Sequence, residues 1–538
     1  MARASRFPTR GPAIAALSLI AGLLTALAFP PFGFLPGLLG YGLLMRLLDV
    51  AGPERSWRSA FWRGWLAGCA FFLVSTWWVG AAFLVDAKNQ AWMAPIAVAL
   101  LAAGLGLFWG LAGLLYRALR PQGALRVLVF GGCFCLVEWL RGHVLTGFPW
   151  DLAGESWAAG SAPSQAAALV GAYGLSWITV TAAAAPAMLA DIAPSRQTWL
   201  AAGLGVLAIA GLYAFGLHRL ERTTPAAQNA PVVRVVQARI EQTDKWDEQM
   251  FRNILQRYVT LTGRPAAHIP DVVIWPEGAL PVAANDYLAD GTWTKALIES
   301  ALRPGQTLLV GAYRVAGPPD RPIYFNTLLA LHDLDGDLQT TAVYDKFRLV
   351  PFGEYLPFDH LMEKLGIKAL THLGDSYSPG PGPRSILPPG LPRVQPLICY
   401  ESIFPGFTQA AARKDGRAAW IVNVSNDAWY GHTYGSAQHL NLARYRALEE
   451  GLPLVMATPT GISAVVDAYG RIAPGQRLDD DVMGVIDAPL PSALISTPFA
   501  AHGESLFWLM IIVSAVAAAA AYRRTRSVRT PNYVTGEK

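Results

Sequence analysis

The sequence predicts an α-helical membrane region joined to an α/β domain, and three observations carry that expectation. The chain is 53% hydrophobic but only 15% charged, against about 25% charged in soluble proteins. Its apolar residues gather into long runs up to about position 217, and once more near the end. Between them, from about 230 to 490, the pattern changes to short β-rich segments separated by Pro and Gly turns. With 538 residues, the chain is also far longer than one core needs. The expected division is therefore 1–217 with seven membrane helices, 218–504 as the α/β domain, and 505–538 as an eighth helix with a basic tail.

The first apolar run, GPAIAALSLIAGLLTALAF at 11–29, has close to the ~20 residues that cross a bilayer. A cleaved secretory leader is the rival, since Arg3, Arg6 and Arg10 precede the run and Ala26-Leu27-Ala28 fits a cleavage site. Further apolar runs follow at once, at about 34–48, 65–85, 92–116, 127–146, 165–190 and 198–217, and this favours a true span. A last run at 505–522 precedes YRRTRSVR. The total is eight, the second short and the fifth interrupted by Glu138 and Arg141.

The basic residues set the orientation. Arg3, Arg6, Arg10, Arg55, Arg58, Arg63, Arg117, Arg120, Arg126 and Arg196 fall on one side, with Arg523, Arg524, Arg526 and Arg529 of the tail. The opposite short loops hold little beyond Lys88 and Arg141. Both termini are expected in the cytoplasm and 218–504 outside the inner membrane of a bacterium. Glu138 and Arg141, three apart on one helix face, are expected to pair, either as a structural ion pair or in contact with lipid. Cys69, Cys133 and Cys135 read as small buried hydrophobes, and Trp77, Trp78 and Trp150 as interfacial anchors. Neither an internal repeat nor a pair of broken helices stands out, which weakens a transporter reading.

In the polar half, PVVRVVQARI, PDVVIWPEG, QTLLVGAYRV, FNTLLAL, RVQPLICYES and AAWIVNVSNDAW each predict a strand. EQMFRNILQRYVTLTG and SAQHLNLARYRALEEG predict helices. Near-continuous apolar strands alternating with helices indicate a sheet covered on both faces. Adjacent strands without a helix between them call for some antiparallel pairing. HLGDSYSPGPGPRSILPPGLP, 372–392, reads as an exposed loop.

Glu277 and Cys399 end predicted strands, where α/β sheets gather their sites, and Lys346 lies in VYDKFRLVPFGEYLP. A thiolate is a nucleophile for acyl transfer, but an ordinary cysteine, with a pKa of about 8.5, needs a base. Glu277 would serve as that base if desolvation raised its pKa, with Lys346 supplying positive charge for an oxyanion. As bare residue types, Lys346 reads equally as a solvated charge and Glu277 as a capping acid.

WPE, DKFRLVPFGE, CYE and VNVSNDAWYG resemble the signature stretches of the nitrilase, or carbon–nitrogen hydrolase, superfamily. With the eight spans, EWLRG…TGFPW and DAWYG…QHLNLARYRALE, the chain resembles that superfamily's membrane-embedded branch, the bacterial apolipoprotein N-acyltransferases. The resemblance implies a multi-pass inner-membrane enzyme with an αββα sandwich facing the periplasm and Glu277, Lys346 and Cys399 as its triad. It implies a phospholipid acyl donor, a thioester on Cys399, and as acceptor the N-terminal amine of a diacylglyceryl-cysteine on an apolipoprotein. It also implies supporting roles for Glu354 (orienting Lys346), Tyr400 (whose backbone N–H holds the oxyanion with Lys346) and Glu401 (bracing the turn behind the thiol). Trp246 would line or gate the acyl pocket. Asn426 and Asp427 would fix the loop near Cys399.

Neither a metal nor a cofactor is expected: His360, His432 and His439 make no ligand spacing with Cys399, and HExxH and phosphate-loop patterns do not occur. NVS at 423–425 formally fits a glycosylation acceptor but reads as strand, and His432 is assigned no role. Nucleic acid is not an expected partner, since no basic block interleaves with aromatics; a monomer is. Two rivals stay open: a membrane-tethered nitrilase-type amidase, and a non-catalytic scaffold or transporter.

Overall fold

The computed structural model describes residues 11–51, 56–119, 122–191, 193–221, 226–245, 250–357 and 376–527. The apolar part is built from helices α1 (Gly11–Ala26), α2 (Leu39–Asp49), α3 (Ser56–Ser75), α4 (Ala94–Leu119), α5 (Arg126–His143), α6 (Ala167–Ala184) and α7 (Arg196–Leu220). Each of the seven expected N-terminal spans overlaps one of these, the third covering only the second half of α3 and the segment Trp77–Leu84 after it, but by length and composition fewer can cross a bilayer alone. Among the described residues, three helical stretches qualify: Ala87–Leu119, Pro163–Ala190 and Arg196–Leu220. A fourth counts if Trp57–Ser75 and Trp77–Leu84, which meet at a 48° bend, form one span. The difference from eight has plain causes. At 1.5 Å per residue the 11-residue α2 is only about 16 Å long. The α5 helix carries Arg126, Glu138 and Arg141, and α1 stops after 16 residues. The sequence windows had merged such helices with the turns beside them.

Exposed apolar and packed faces separate clearly. Leu100 of α4 and Leu200, Val206 and Leu207 of α7 are more than 60% exposed. Phe71, Trp109, Phe130, Phe134 and Tyr41 fill the centre, with Phe71 stacked on Trp109 at 4.9 Å. At one end of the bundle, Arg126 bonds Asp191 at 2.8 Å and lies 3.2 Å from Asp49, which also accepts from Tyr116 at 2.6 Å. Glu138 and Arg141 pair on one face, as expected, and are buried.

The polar half is two sheets face to face. Its strands are β1 (Val232–Gln237), β2 (Val272–Trp275), β3 (Thr307–Ala316), β4 (Ile323–Leu334), β5 (Asp337–Asp345), β6 (Val394–Ile398), β7 (Trp420–Val424), β8 (Leu454–Ala457), β9 (Ser463–Val466), β10 (Ile472–Leu478) and β11 (Gly484–Pro489). One sheet runs β11-β1-β2-β3-β4-β5 and the other β10-β9-β8-β7-β6. Pairing is parallel from β1 to β3 and from β6 to β8, and antiparallel elsewhere. Val235, Ile274, Leu309 and Leu328 of the first sheet meet Ile398, Val422, Val455 and Val465 of the second. Helices α8 (Phe251–Thr262) and α9 (Trp293–Glu299) cover the first sheet's outer face. Helices α10 (Phe407–Asp415) and α11 (Gly435–Glu450) cover the second's. The order of layers is αββα. The last helix, α12 (Ser505–Ser527), returns to the bundle against α5 and α6.

The two halves share a core. Tyr445 and Leu448 of α11 belong to the bundle's buried cluster. Gln438 of α11 accepts from both Trp78 and Trp150 at 3.1 Å and donates to Asp151 at 3.1 Å. Those tryptophans anchor the bundle to the sandwich.

Candidate active site

Three strand ends converge on one buried spot. Glu277 lies two residues beyond β2, Lys346 directly follows β5, and Cys399 directly follows β6. The chain turns sharply at two of these places: Gly278 has φ +53° and Cys399 itself φ +49°, which costs a residue with a Cβ. Gly311 on β3 leaves room for the turn, because a Cβ there would lie 2.5 Å from Glu277 Cα.

Lys346 Nζ donates to Glu277 Oε1 at 3.1 Å and to Glu354 Oε1 at 3.0 Å. Asn326 of β4 bridges the same two acids, its amide nitrogen 2.6 Å from Glu277 and 2.7 Å from Glu354. The other oxygen of Glu277 accepts from the Asn426 backbone N–H at 2.8 Å, and that of Glu354 from the Val350 N–H at 2.8 Å. The lysine thus has two carboxylates, each held by further donors.

The charge states follow from these contacts. Desolvation alone would raise Glu277, but Lys346, Asn326 and Lys245 outweigh it and hold its pKa below the ordinary carboxylate value. This corrects the expectation of a raised base. Burial works to lower Lys346, while Glu277, Glu354 and Cys399 hold it well above an ordinary lysine. Burial drives the Cys399 thiol strongly upward, Glu277 adds to this and Lys346 opposes it. At rest the site therefore holds a thiol beside a carboxylate and an ammonium.

Glu401 lies behind the thiol. It accepts from Ile398 N–H at 2.9 Å, Phe347 N–H at 2.7 Å, Arg348 N–H at 3.1 Å and Tyr344 O–H at 2.9 Å. These bonds tie the Cys399 turn to the Lys346 segment. Burial raises its pKa to about 7 although the backbone donors oppose that. Tyr400 reaches the bundle: its ring stacks on Phe148 at 6.4 Å and its hydroxyl donates to the Gly147 carbonyl. Trp246 and His360 lie outside the described residues.

Sequence reasoning missed Asn326, Lys245 and His439. Asn326 sits mid-strand in FNTLLAL, where nothing in the pattern marks it. Lys245 is buried near Glu277 and Cys399 and is lowered by burial to about 8. His439 Nε2 lies 3.2 Å from the Cys399 carbonyl oxygen, although 40 positions separate the two.

Residues 21–185 match the family model described as the apolipoprotein N-acyltransferase N-terminal domain, and 232–498 match that of carbon-nitrogen hydrolases. The chain is 55% identical over 515 residues to the apolipoprotein N-acyltransferase of Caulobacter vibrioides, covering 95% of each. It is 38% identical to that of Rhizobium rhizogenes, over 92% of this chain and 93% of the relative. It is 37% identical to that of Rhodopseudomonas palustris, over 91% and 92%.

Proposed function

The chain belongs to the apolipoprotein N-acyltransferase family, and from that premise we propose that it moves an acyl chain from a phospholipid to the N-terminal amine of a diacylglyceryl-cysteine. Cys399 is the nucleophile, Glu277 the proton carrier, and Lys346 with the Tyr400 N–H the oxyanion site. The observation that supports this most is the buried Glu277–Lys346–Glu354 contact beside a lone strand-end thiol.

The thiol passes its proton to Glu277 as sulfur attacks the ester carbonyl, and the oxyanion forms against Lys346 and Tyr400 N–H. The tetrahedral species collapses, breaking the bond to the glycerol oxygen, which takes the proton from Glu277. A lysophospholipid leaves and a thioester remains. The neutral acceptor amine then attacks that thioester and gives a proton to the Glu277 carboxylate. Collapse expels sulfur, which regains the proton, and the product is an amide. Held low, the Glu277 carboxylate is ready at neutral pH, and proton transfer waits for the sulfur to attack.

Glu354 orients Lys346 and Glu401 braces the turn. The finer membrane arrangement belongs to the same proposal: eight passes, both termini cytoplasmic, and 218–504 in the periplasm. The basic residues of the short loops support it, as do the bonds from the sandwich to the segment after α5: Tyr400 to Gly147, and Asn441 to Glu155 and Ala159. Glu277, Lys346, Glu354 and Cys399 all come from one chain, so the proposed chemistry needs no second copy.

Purified protein incubated with phosphatidylethanolamine should show an acyl adduct on Cys399 by mass spectrometry, and adding a diacylated lipopeptide should yield a triacylated product. Cys399→Ala should abolish both while the protein still inserts. An adduct that survives this substitution rules out Cys399 as nucleophile. Fatty acid released without transfer to the lipopeptide would favour the amidase.

A further inference from the structure

We infer that His439 is a positioning residue for the oxyanion site, holding the Cys399–Tyr400 peptide through its carbonyl, with Asp427 behind it and Ser402 beside it. The inference rests on the reading of Cys399 as nucleophile and extends it.

The three side chains are almost wholly buried. His439 Nδ1 lies 3.0 Å from Asp427 Oδ1, an oxygen that also accepts from Ser425 Oγ at 2.6 Å. His439 Nε2 lies 2.9 Å from Ser402 Oγ and 3.2 Å from the Cys399 carbonyl oxygen. Ser402 Oγ in turn donates to that carbonyl at 2.9 Å. The ring is seated between Trp150, at 6.1 Å and nearly parallel, and Tyr430, edge-on at 5.8 Å.

The hydrogens can be assigned by elimination. The single Ser402 proton is engaged by the Cys399 carbonyl, so it cannot also satisfy Nε2. A bare Nε2 would then set its lone pair against two oxygens. Nε2 therefore carries a hydrogen directed at the Cys399 carbonyl and Ser402, and Nδ1 faces Asp427 Oδ1.

Two consequences follow for the reacting centre. The Cys399 carbonyl and the Tyr400 N–H belong to one planar peptide unit, so clamping the first fixes the direction of the second. Donation to the carbonyl also polarises the N–H opposite, making it a stronger donor to an oxyanion. The clamp meanwhile holds Cys399 at φ +49°, a conformation it would leave if free.

The test separates carbonyl chemistry from thiol reactivity. In the full-length protein in phosphatidylethanolamine nanodiscs, one measurement is the rate of acyl-adduct formation on Cys399. The other is the rate of Cys399 alkylation by iodoacetamide, in which sulfur displaces iodide and no oxyanion forms. His439→Ala should slow acylation about tenfold to a hundredfold and change alkylation less than about twofold. His439→Gln, which keeps a donor toward the carbonyl, should recover most of the acylation rate. Should His439→Ala yield too little folded protein, Ser402→Ala removes a donor from the same carbonyl and is judged the same way. Acylation and alkylation falling together, or neither falling, overturns the inference. A wild-type protein that forms no adduct overturns instead the nucleophile reading beneath it.

Discussion

Glu277 and Cys399 begin in opposite protonation states: burial keeps the thiol protonated, while Lys346, Asn326 and Lys245 keep Glu277 ionised. Glu277→Gln removes the proton carrier while keeping the shape. We expect acyl-enzyme formation to fall by about 10²–10⁴, measured by mass spectrometry in single-turnover mixtures; a fall under tenfold would pass the role to another group. Lys245 offers a check from pH. Its folded value of about 8 lies below the ordinary 10.5, so below about pH 8 both folded and unfolded chains hold the proton. Between 8 and 10.5 only the unfolded chain does, and stability should rise with pH across that window and level off outside it. The full gain is at most about 3 kcal/mol. The Tm of the wild type should climb relative to Lys245→Met between pH 8 and 10, and a constant difference would count against the depressed value.

Among the elements, β3 acts through a missing side chain. A Cβ at Gly311 would meet Glu277 Cα and the Pro276 carbonyl oxygen, each at 2.5 Å, and backbone cannot yield as a flexible side chain would. Gly311→Ala should cost about 1–3 kcal/mol and displace Glu277 from Lys346. The expected readings are a lower Tm and an acyl-adduct rate reduced more than the fraction of folded protein explains. Turns of this kind occur where strands end, and for that reason Glu277 and Cys399 stood out in the sequence. Asn326 did not, because an amide in mid-strand looks like any outward-facing polar residue until β4 is laid beside β3 and β5.

At the scale of the whole molecule, bundle and sandwich are bolted together by polar groups inside an aromatic layer. Gln438 binds Trp78, Trp150 and Asp151 at once, and Asp151 also accepts from Ser75 at 2.8 Å. Gln438→Leu would strand the Trp150 N–H, at about 1–3 kcal/mol for a buried group left unpaired, and leave Asp151 Oδ2 with Ser75 alone. A Tm drop of several degrees should follow, with loss of acyl transfer, because the same loop carries Phe148 against Tyr400. An unchanged Tm would mean that the joint rests on the aromatics alone.

The sequence by itself determined the two-part architecture, six of the eleven strands among the described residues and the strand-end positions of Glu277 and Cys399, because apolar periodicity and turn residues are local signals. It overcounted helices able to span a bilayer alone, since a hydropathy window cannot see where a helix stops and a turn begins. Only the tertiary structure decided that Glu277 is held low rather than raised, and that His439 lies against the Cys399 carbonyl. Electrostatic fields and hydrogen-bond partners depend on distances through space, and strand order, not chain order, sets those.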